Sequence, residues 1–427
     1  MKMRSLTLWC RLLCLGAVLC AGMLAAMTPP PEPQAAPAAP GVSTAVKDIG
    51  NGCNDFALKM LTELSKSAAT ENVFFSPFSV HVALAMTFAG AGSDTLQEMQ
   101  KVLGYPLESG SLAQTYKAYL ESLRPPTGAE APYELAVANA IWAQGKYPFG
   151  ASYLKKIEDW FASKIHLVDF AANANAIRVE INTWVEKITH DRIKDLIPSG
   201  MLSADTRMVL VNAVYFKGKW QDEFLKSDTR DEPFTTGDGS PKTVPMMSRT
   251  ANMLYAETEQ YQALRLPYKG KDLAMLVFLP REKNGIDAMI AGLDADKIAE
   301  TGRQFTGREV QLFLPKFTTD YGCTLNDPLQ QLGMKAAFTE SADFSGMFDG
   351  GKSPTGAFYI SAIVHKAFVA VDEEGTEAAA ATAVAMTQEC VMERVPPVVF
   401  RADHPFLFAI MHLPSETMLF VGRVMKP

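Results

Sequence analysis

From Met208 to Phe216 the chain reads Met-Val-Leu-Val-Asn-Ala-Val-Tyr-Phe, with Asn212 as its one strongly polar side chain. A strand with one wetted face alternates apolar and polar residues, because successive side chains point to opposite faces. A run without that alternation has to be covered on both faces, which implies a central sheet. Further strand candidates are Glu134–Trp142, Leu273–Leu279, Val310–Leu314, Lys366–Val371, Phe406–His412 and Thr417–Val424. Helical spacing marks Asn54–Lys66, through Phe56, Met60, Leu61 and Leu64, and Asp94–Leu103 after the Gly90-Ala91-Gly92 break. It also marks Ser79–Phe88, opened by Ser76-Pro77, and Ile177–Ile188 with Trp184 on its buried side. Helices early and strands late predict an α+β single domain around a large mixed sheet.

Composition bounds the function. With 48% hydrophobic and 20% charged among 427 residues, the chain has ample material for a core, and disorder is not the default. A net charge of -7 with mixed signs lacks the basic stripe of a phosphate-backbone surface, so nucleic acid is not an expected partner. Lys2, Arg4 and Arg11 precede the apolar run Leu12–Met27, and a Pro/Ala-rich stretch follows from Pro29 to Pro40. This pattern predicts a signal peptide over residues 1–26, cut near Ala25 or Ala26, a leader over 27–50, and a folded domain over 51–427. The product is then secreted, extracellular or periplasmic or at the cell surface. Two other readings of the same segment stay open. One is a lipid on Cys20, against which Leu19 speaks, and the other is an uncleaved membrane anchor. Apart from these, no membrane partner is expected.

Cys10, Cys14 and Cys20 fall within the signal, leaving Cys53, Cys323 and Cys390, too few for a disulfide framework. A Cys53–Cys323 bridge and two unpaired thiols are both compatible with that set. The six histidines are scattered without metal-ligand spacing, so neither a metal nor another cofactor is called for. No N-x-[ST] sequon, internal repeat or phosphate-binding glycine loop is present.

The most unusual stretch is Asp372–Pro397, which is too long for an ordinary connection between two strands. From Thr376 the alternate positions are Thr376, Ala378, Ala380, Thr382, Val384 and Met386, none of them charged. The intervening residues are Glu377, Ala379, Ala381, Ala383, Ala385 and Thr387. A period of two with one charge-free face suits a strand buried on that face, whereas alanine by itself favours helix. Gly375 supplies a permissive hinge at the start. Composition alone leaves a plain alanine-rich helix, a surface loop and an insertable strand all open.

Longer motifs narrow the choice. Glu373-Glu374-Gly375-Thr376-Glu377-Ala378-Ala379-Ala380-Ala381-Thr382-Ala383 resembles the hinge of inhibitory serpins. Asn72-Val73-Phe74-Phe75-Ser76-Pro77-Phe78-Ser79 resembles that family's early helix motif, and Leu210–Trp220 its strand motif. Leu314-Pro315-Lys316-Phe317, Ala402–Phe408 and Leu419–Val424 resemble its later signatures in the expected order. The resemblance covers Asn51–Pro427. It implies the α+β serpin fold, with a large central mixed sheet, further sheets, about eight to nine helices and an exposed reactive-centre loop.

For function, the resemblance implies a single-use trap for serine or cysteine endopeptidases. The target attacks the loop, and the hinge then inserts into the central sheet while the acyl-enzyme persists. In the family's inhibitory loops the bond cut lies fourteen residues after the hinge glycine, which from Gly375 falls between Glu389 and Cys390. Counting back from the C-terminal side allows Met392 or Arg394 instead. Ser76, Ser79, Asn212 and His365 match the polar shutter beneath the sheet, and Trp220 the aromatic at the upper breach where insertion begins. The implied partner is a target endopeptidase in a covalent 1:1 complex with a monomer, and polymerisation by loop insertion is open to such a monomer. The alternative within the family is a non-inhibitory carrier, chaperone or storage protein. No G-x-S-x-G or H-E-x-x-H is present and Cys390 has no recognisable His and Asn partners, so the chain is not expected to be an enzyme.

Overall fold

A computed structural model describes residues 43–105, 109–124, 132–352, 357–376 and 396–427. The expected signal peptide, Cys20 and most of the leader lie outside these residues. So do Glu377, Ala378, Ala379, Ala380, Ala381, Thr382, Glu389, Cys390, Met392 and Arg394.

In chain order the elements begin with α1 (Thr44–Ser67), β1 (Val73–Phe75), α2 (Pro77–Phe88), α3 (Ser93–Leu103), α4 (Ser109–Ser122), β2 (Tyr133–Gln144), α5 (Ala151–Phe161), β3 (Ile165–Val168), α6 (Phe170–Ile188) and β4 (Met208–Lys219). There follow β5 (Arg230–Thr235), β6 (Pro241–Glu257), β7 (Tyr261–Pro267), β8 (Leu273–Pro280), α7 (Ile286–Gly292), α8 (Ala295–Gln304), β9 (Thr306–Pro315), β10 (Phe317–Thr324) and α9 (Asn326–Gln331). The chain closes with β11 (Ile360–Val371), β12 (Gly375–Thr376), β13 (Val398–Arg401), β14 (Phe406–His412) and β15 (Thr417–Val424). Nine α-helices among the described residues agree with the expected number. The expected order of helices before strands is only partly kept, since α7, α8 and α9 fall among the strands.

Two sheets form the frame. One has nine strands in the order β1-β15-β14-β8-β7-β6-β9-β13, with β5 beside β6. The other has six, in the order β10-β11-β12-β4-β2-β3, and is mixed because β4 runs parallel to β11 and β2 parallel to β3. The unbroken apolar run in β4 is explained by cover on both faces. Met208, Leu210, Val214 and Phe216 join the main core, whereas Val209, Val211 and Ala213 pack with Ile177, Ile181 and Val185 of α6. Trp184 is only half-buried, at the margin of that second cluster.

One expectation needs correction, and one open alternative is decided. The fold starts before Asn51: Ser43 caps α1, and Val46 and Ile49 in its first two turns are buried. Residues 44–50 therefore belong to the domain and not to the leader, because this extra helical face has core to cover. The second concerns the thiols. Cys53 and Cys323 are both free, Cys53 buried in α1 and Cys323 on the edge strand β10. Burial raises both thiol pKa values, that of Cys323 to about 12, which keeps them protonated.

Candidate functional site

The site lies between β4 and β11. These neighbours are parallel from Met208 opposite Ile360 to Tyr215 opposite Phe368, although β2 and β10 flank them in antiparallel pairing. Above that ladder the pair is parted by β12, which runs antiparallel to both: Thr376 faces Gly218 on one side and Val371 on the other. Gly375 and Thr376 of the hinge thus already form a strand of the sheet.

Their conformation follows from the local chemistry. Asp372 Oδ1 accepts the N–H groups of Glu374 (2.9 Å) and Gly375 (3.2 Å), and Asp372 N–H donates to Gly375 O, which closes a tight turn. Gly375 has φ +152°, and a Cβ there would sit 2.1 Å from Gly218 O, so no other residue fits without moving β4. Trp220 N–H donates to Glu374 O, Phe224 N–H to Glu373 O, and Trp220 Nε1 to Asp372 O at 3.0 Å. Thr376 Oγ1 is 2.8 Å from Tyr268 OH, and the Tyr268 ring stacks on Trp220 with centroids 4.7 Å apart.

The hinge also carries two buried carboxylates. Glu373 accepts from Lys316 Nζ (2.7 Å) and Thr229 Oγ1 (2.8 Å), and Glu374 from Lys226 Nζ (2.7 Å). Burial alone would raise the Glu373 pKa, but the bonds from Lys316 and Thr229 hold it below the usual carboxylate range. At Asp372 burial outweighs the bonds from the Glu374 and Gly375 N–H groups and the attraction of Lys316, and its pKa is raised.

Halfway down the slot, His365 and Asn212 are register partners across β4 and β11. Ser76 N–H donates to His365 Nε2 (3.3 Å), so the neutral ring carries its proton on Nδ1 and donates to Asn212 Oδ1 (2.5 Å). Asn212 Nδ2 donates to Ser79 Oγ (2.6 Å), and Ser76 Oγ donates to Leu419 O (2.7 Å). All four side chains are buried, and burial lowers the His365 pKa to about 3. The arrangement is a neutral polar latch in an otherwise apolar sheet.

The structure therefore brings Glu373, Glu374, Gly375, Thr376 and Trp220 together at the top of the slot, and Ser76, Ser79, Asn212 and His365 together at its middle. Sequence reasoning missed Lys226, Thr229 and Tyr268, and took Lys316 only as part of a motif. Their separation from the hinge, by 108 residues for Tyr268, leaves no local pattern. Three consecutive acids after a buried strand, Asp372, Glu373 and Glu374, were the available signal, since buried carboxylates require cations or donors.

The site is thus a parallel pair parted at one end by an antiparallel stub, with a polar latch below. The chain matches the serpin (serine protease inhibitor) family over residues 51–427 and belongs to it. It is 40% identical over 381 residues to an uncharacterised serpin-like protein of Thermococcus kodakarensis, covering 89% of this chain and 86% of that one. It is 38% identical over 381 residues to the leukocyte elastase inhibitor of Bos taurus, covering 87% and 97%. Among solved structures, the thermophilic serpin tengpin in its native state superposes with a TM-score of 0.80 at 30% identity, covering 89% of this chain and 94% of tengpin.

Proposed function

We propose that this chain is an irreversible suicide-substrate inhibitor of serine endopeptidases, with cysteine endopeptidases as a wider target class. The observation that carries the reading is β12: the start of the hinge already pairs with both walls of the slot. Continuing its register down β4 would bring residue 382 level with Asn212 and His365, through alternate side chains that are small or apolar. On the face shared with Thr376 they would meet the main core. On the other face Ala379, Ala381, Ala383 and Ala385 would pass under α6, beside Val209, Val211 and Ala213. An inserted strand would also replace the parallel pairing between β4 and β11 with two antiparallel ones, and antiparallel pairing is slightly the more stable per residue.

The chemistry is that of an interrupted hydrolysis. The target's serine hydroxyl attacks the Glu389 carbonyl, the C–N bond to Cys390 breaks, and the new amine takes up the proton. The ester between Glu389 and the target would normally be hydrolysed by water. Insertion of residues 377–389 drags the bound enzyme away and distorts its site before that step. Cleavage after Glu389 calls for a target with a cationic specificity pocket. Cleavage after Arg394 calls for a trypsin-like one, and cleavage at Met392 for an elastase-like or subtilisin-like one. The basic start and apolar run before Pro29 support export of the inhibitor, so the target is an extracellular or envelope enzyme.

The test is to mix the protein with a panel of serine and cysteine endopeptidases. An SDS-resistant complex should form with at least one of them, and the released C-terminal peptide should begin at Cys390. Turnover of the loop without complex formation across the panel would favour the non-inhibitory carrier, chaperone or storage role.

A further inference from the structure

The slot between β4 and β11 is crossed by side-chain hydrogen bonds at more than its breach and shutter. At its lower end Arg207 N–H donates to Ser361 Oγ at 2.8 Å. Regular pairing slips at this point: Met208 opposes Ile360 and Val209 opposes Ala362, so Ser361 is an extra residue in β11. Its hydroxyl takes the acceptor position that a ladder carbonyl would otherwise hold.

The two partners are tied to opposite sides of the slot. Arg207 O accepts from the N–H of Gln144 at the end of β2 (2.9 Å). Ser361 O accepts from Asn326 Nδ2 (3.0 Å), and Asn326 Oδ1 accepts from Ile363 N–H (2.9 Å), which fastens the base of β11 to α9. Parting β4 from β11 therefore breaks the Arg207–Ser361 bond while the bonds to Gln144 and Asn326 survive. The length of the hinge makes that break unavoidable. A strand that keeps the Thr376–Gly218 register reaches Arg207 at residue 387, before Glu389. An insertion that stalls at Asn212 leaves the bond untouched.

We infer that the Ser361 hydroxyl is a clasp at the foot of the slot, a positioning residue that resists the last stage of strand insertion. This rests on the insertion reading given above. Neither Arg207 nor Asn326 owes its place to the breach or the shutter, so the clasp acts separately from both.

The test compares Ser361→Ala with wild type and with Ser361→Thr, which keeps the hydroxyl. After a single cut in the loop, the time course of gaining urea resistance reads insertion. Loss of one ordinary hydrogen bond predicts that Ser361→Ala inserts about 2- to 10-fold faster. Its uncut form should also melt at a lower temperature, its cut form should be unchanged, and Ser361→Thr should behave as wild type. If Ser361→Ala does not fold, Ser361→Val against Ser361→Thr isolates the same hydroxyl. Equal destabilisation of cut and uncut forms, or an unchanged rate, overturns the clasp alone. A wild-type chain that gains no urea resistance after cutting overturns the insertion reading and the clasp with it.

Discussion

The β14–β15 hairpin and the β4–β11 pair are both deeply buried, yet they are built to different ends. Every residue of β14 and β15 is buried, their pairing is antiparallel, and β8 extends it on the far side of β14. The one charge within the two strands, Arg423, is held through its terminal nitrogens: it pairs with Asp287 (2.5 Å) and donates to the carbonyls of Ser65 and Ala68 at the end of α1. The β4–β11 pair is parallel instead, is split at its top by Gly375–Thr376, and carries a histidine and an asparagine at its centre. The first region is a continuous antiparallel ladder, and the second is a parallel ladder with side-chain hydrogen bonds laid across it. Burial alone does not distinguish the two regions; direction of pairing and placement of polar groups do, and under the proposed function they mark the second as the seam that opens.

Breaking the first region should give the largest effect, and an indiscriminate one. Phe408 is fully buried, stacks on Phe74 with centroids 5.5 Å apart and meets Phe317 edge-on at 5.1 Å. Phe408→Ala should cost about 3–5 kcal/mol in native and loop-cut forms alike, read by urea unfolding of each. The seam should respond selectively. His365→Ala strands Asn212 Oδ1 and Ser76 N–H in a buried site, which should cost the uncut form about 1–3 kcal/mol. Warming that variant should yield polymer or a prematurely inserted monomer on size-exclusion chromatography, and an unchanged monomer would refute the latch.

Acid probes the same latch. His365 keeps its proton off in the fold down to a pKa of about 3, against 6.5 when unfolded, so the unfolded chain binds the extra proton first. The stability it contributes is complete above pH 6.5 and falls away as pH drops toward 3. His81 and His412, also lowered by burial to about 4, act in the same direction. Native stability measured from pH 7 to pH 4 should therefore fall, and His365→Ala should fall less. Trp220→Phe should have the smallest effect, about 0.5–1.5 kcal/mol, because it removes the bond to Asp372 O and keeps a ring to stack on Tyr268.

Much of this was legible in the residues because the features are periodic or local. The apolar run of β4, the spacing of α2 and α3 and the charge-free alternation after Gly375 each reflect one element's own burial. The start of α1 was hidden by its position beside the Pro/Ala-rich stretch: only Val46 and Ile49 announce a buried face there, too few to set a period. The ion pairs of Glu373 and Glu374 were not legible, since Lys226 and Lys316 come from distant segments that meet only when β4, β9 and β11 are assembled. Nor was the clasp at Ser361, because a bulge depends on the register of two strands and neither sequence contains it. The free state of Cys53 and Cys323 likewise depended on where α1 and β10 lie.

The central claim is that the seam between β4 and β11 takes up the hinge as a new strand. Heat-induced unfolding of the intact chain, set against the same chain cut once between residues 377 and 395, tests it most directly. The account predicts that the cut chain melts far above the intact one. Coincident melting curves would contradict it.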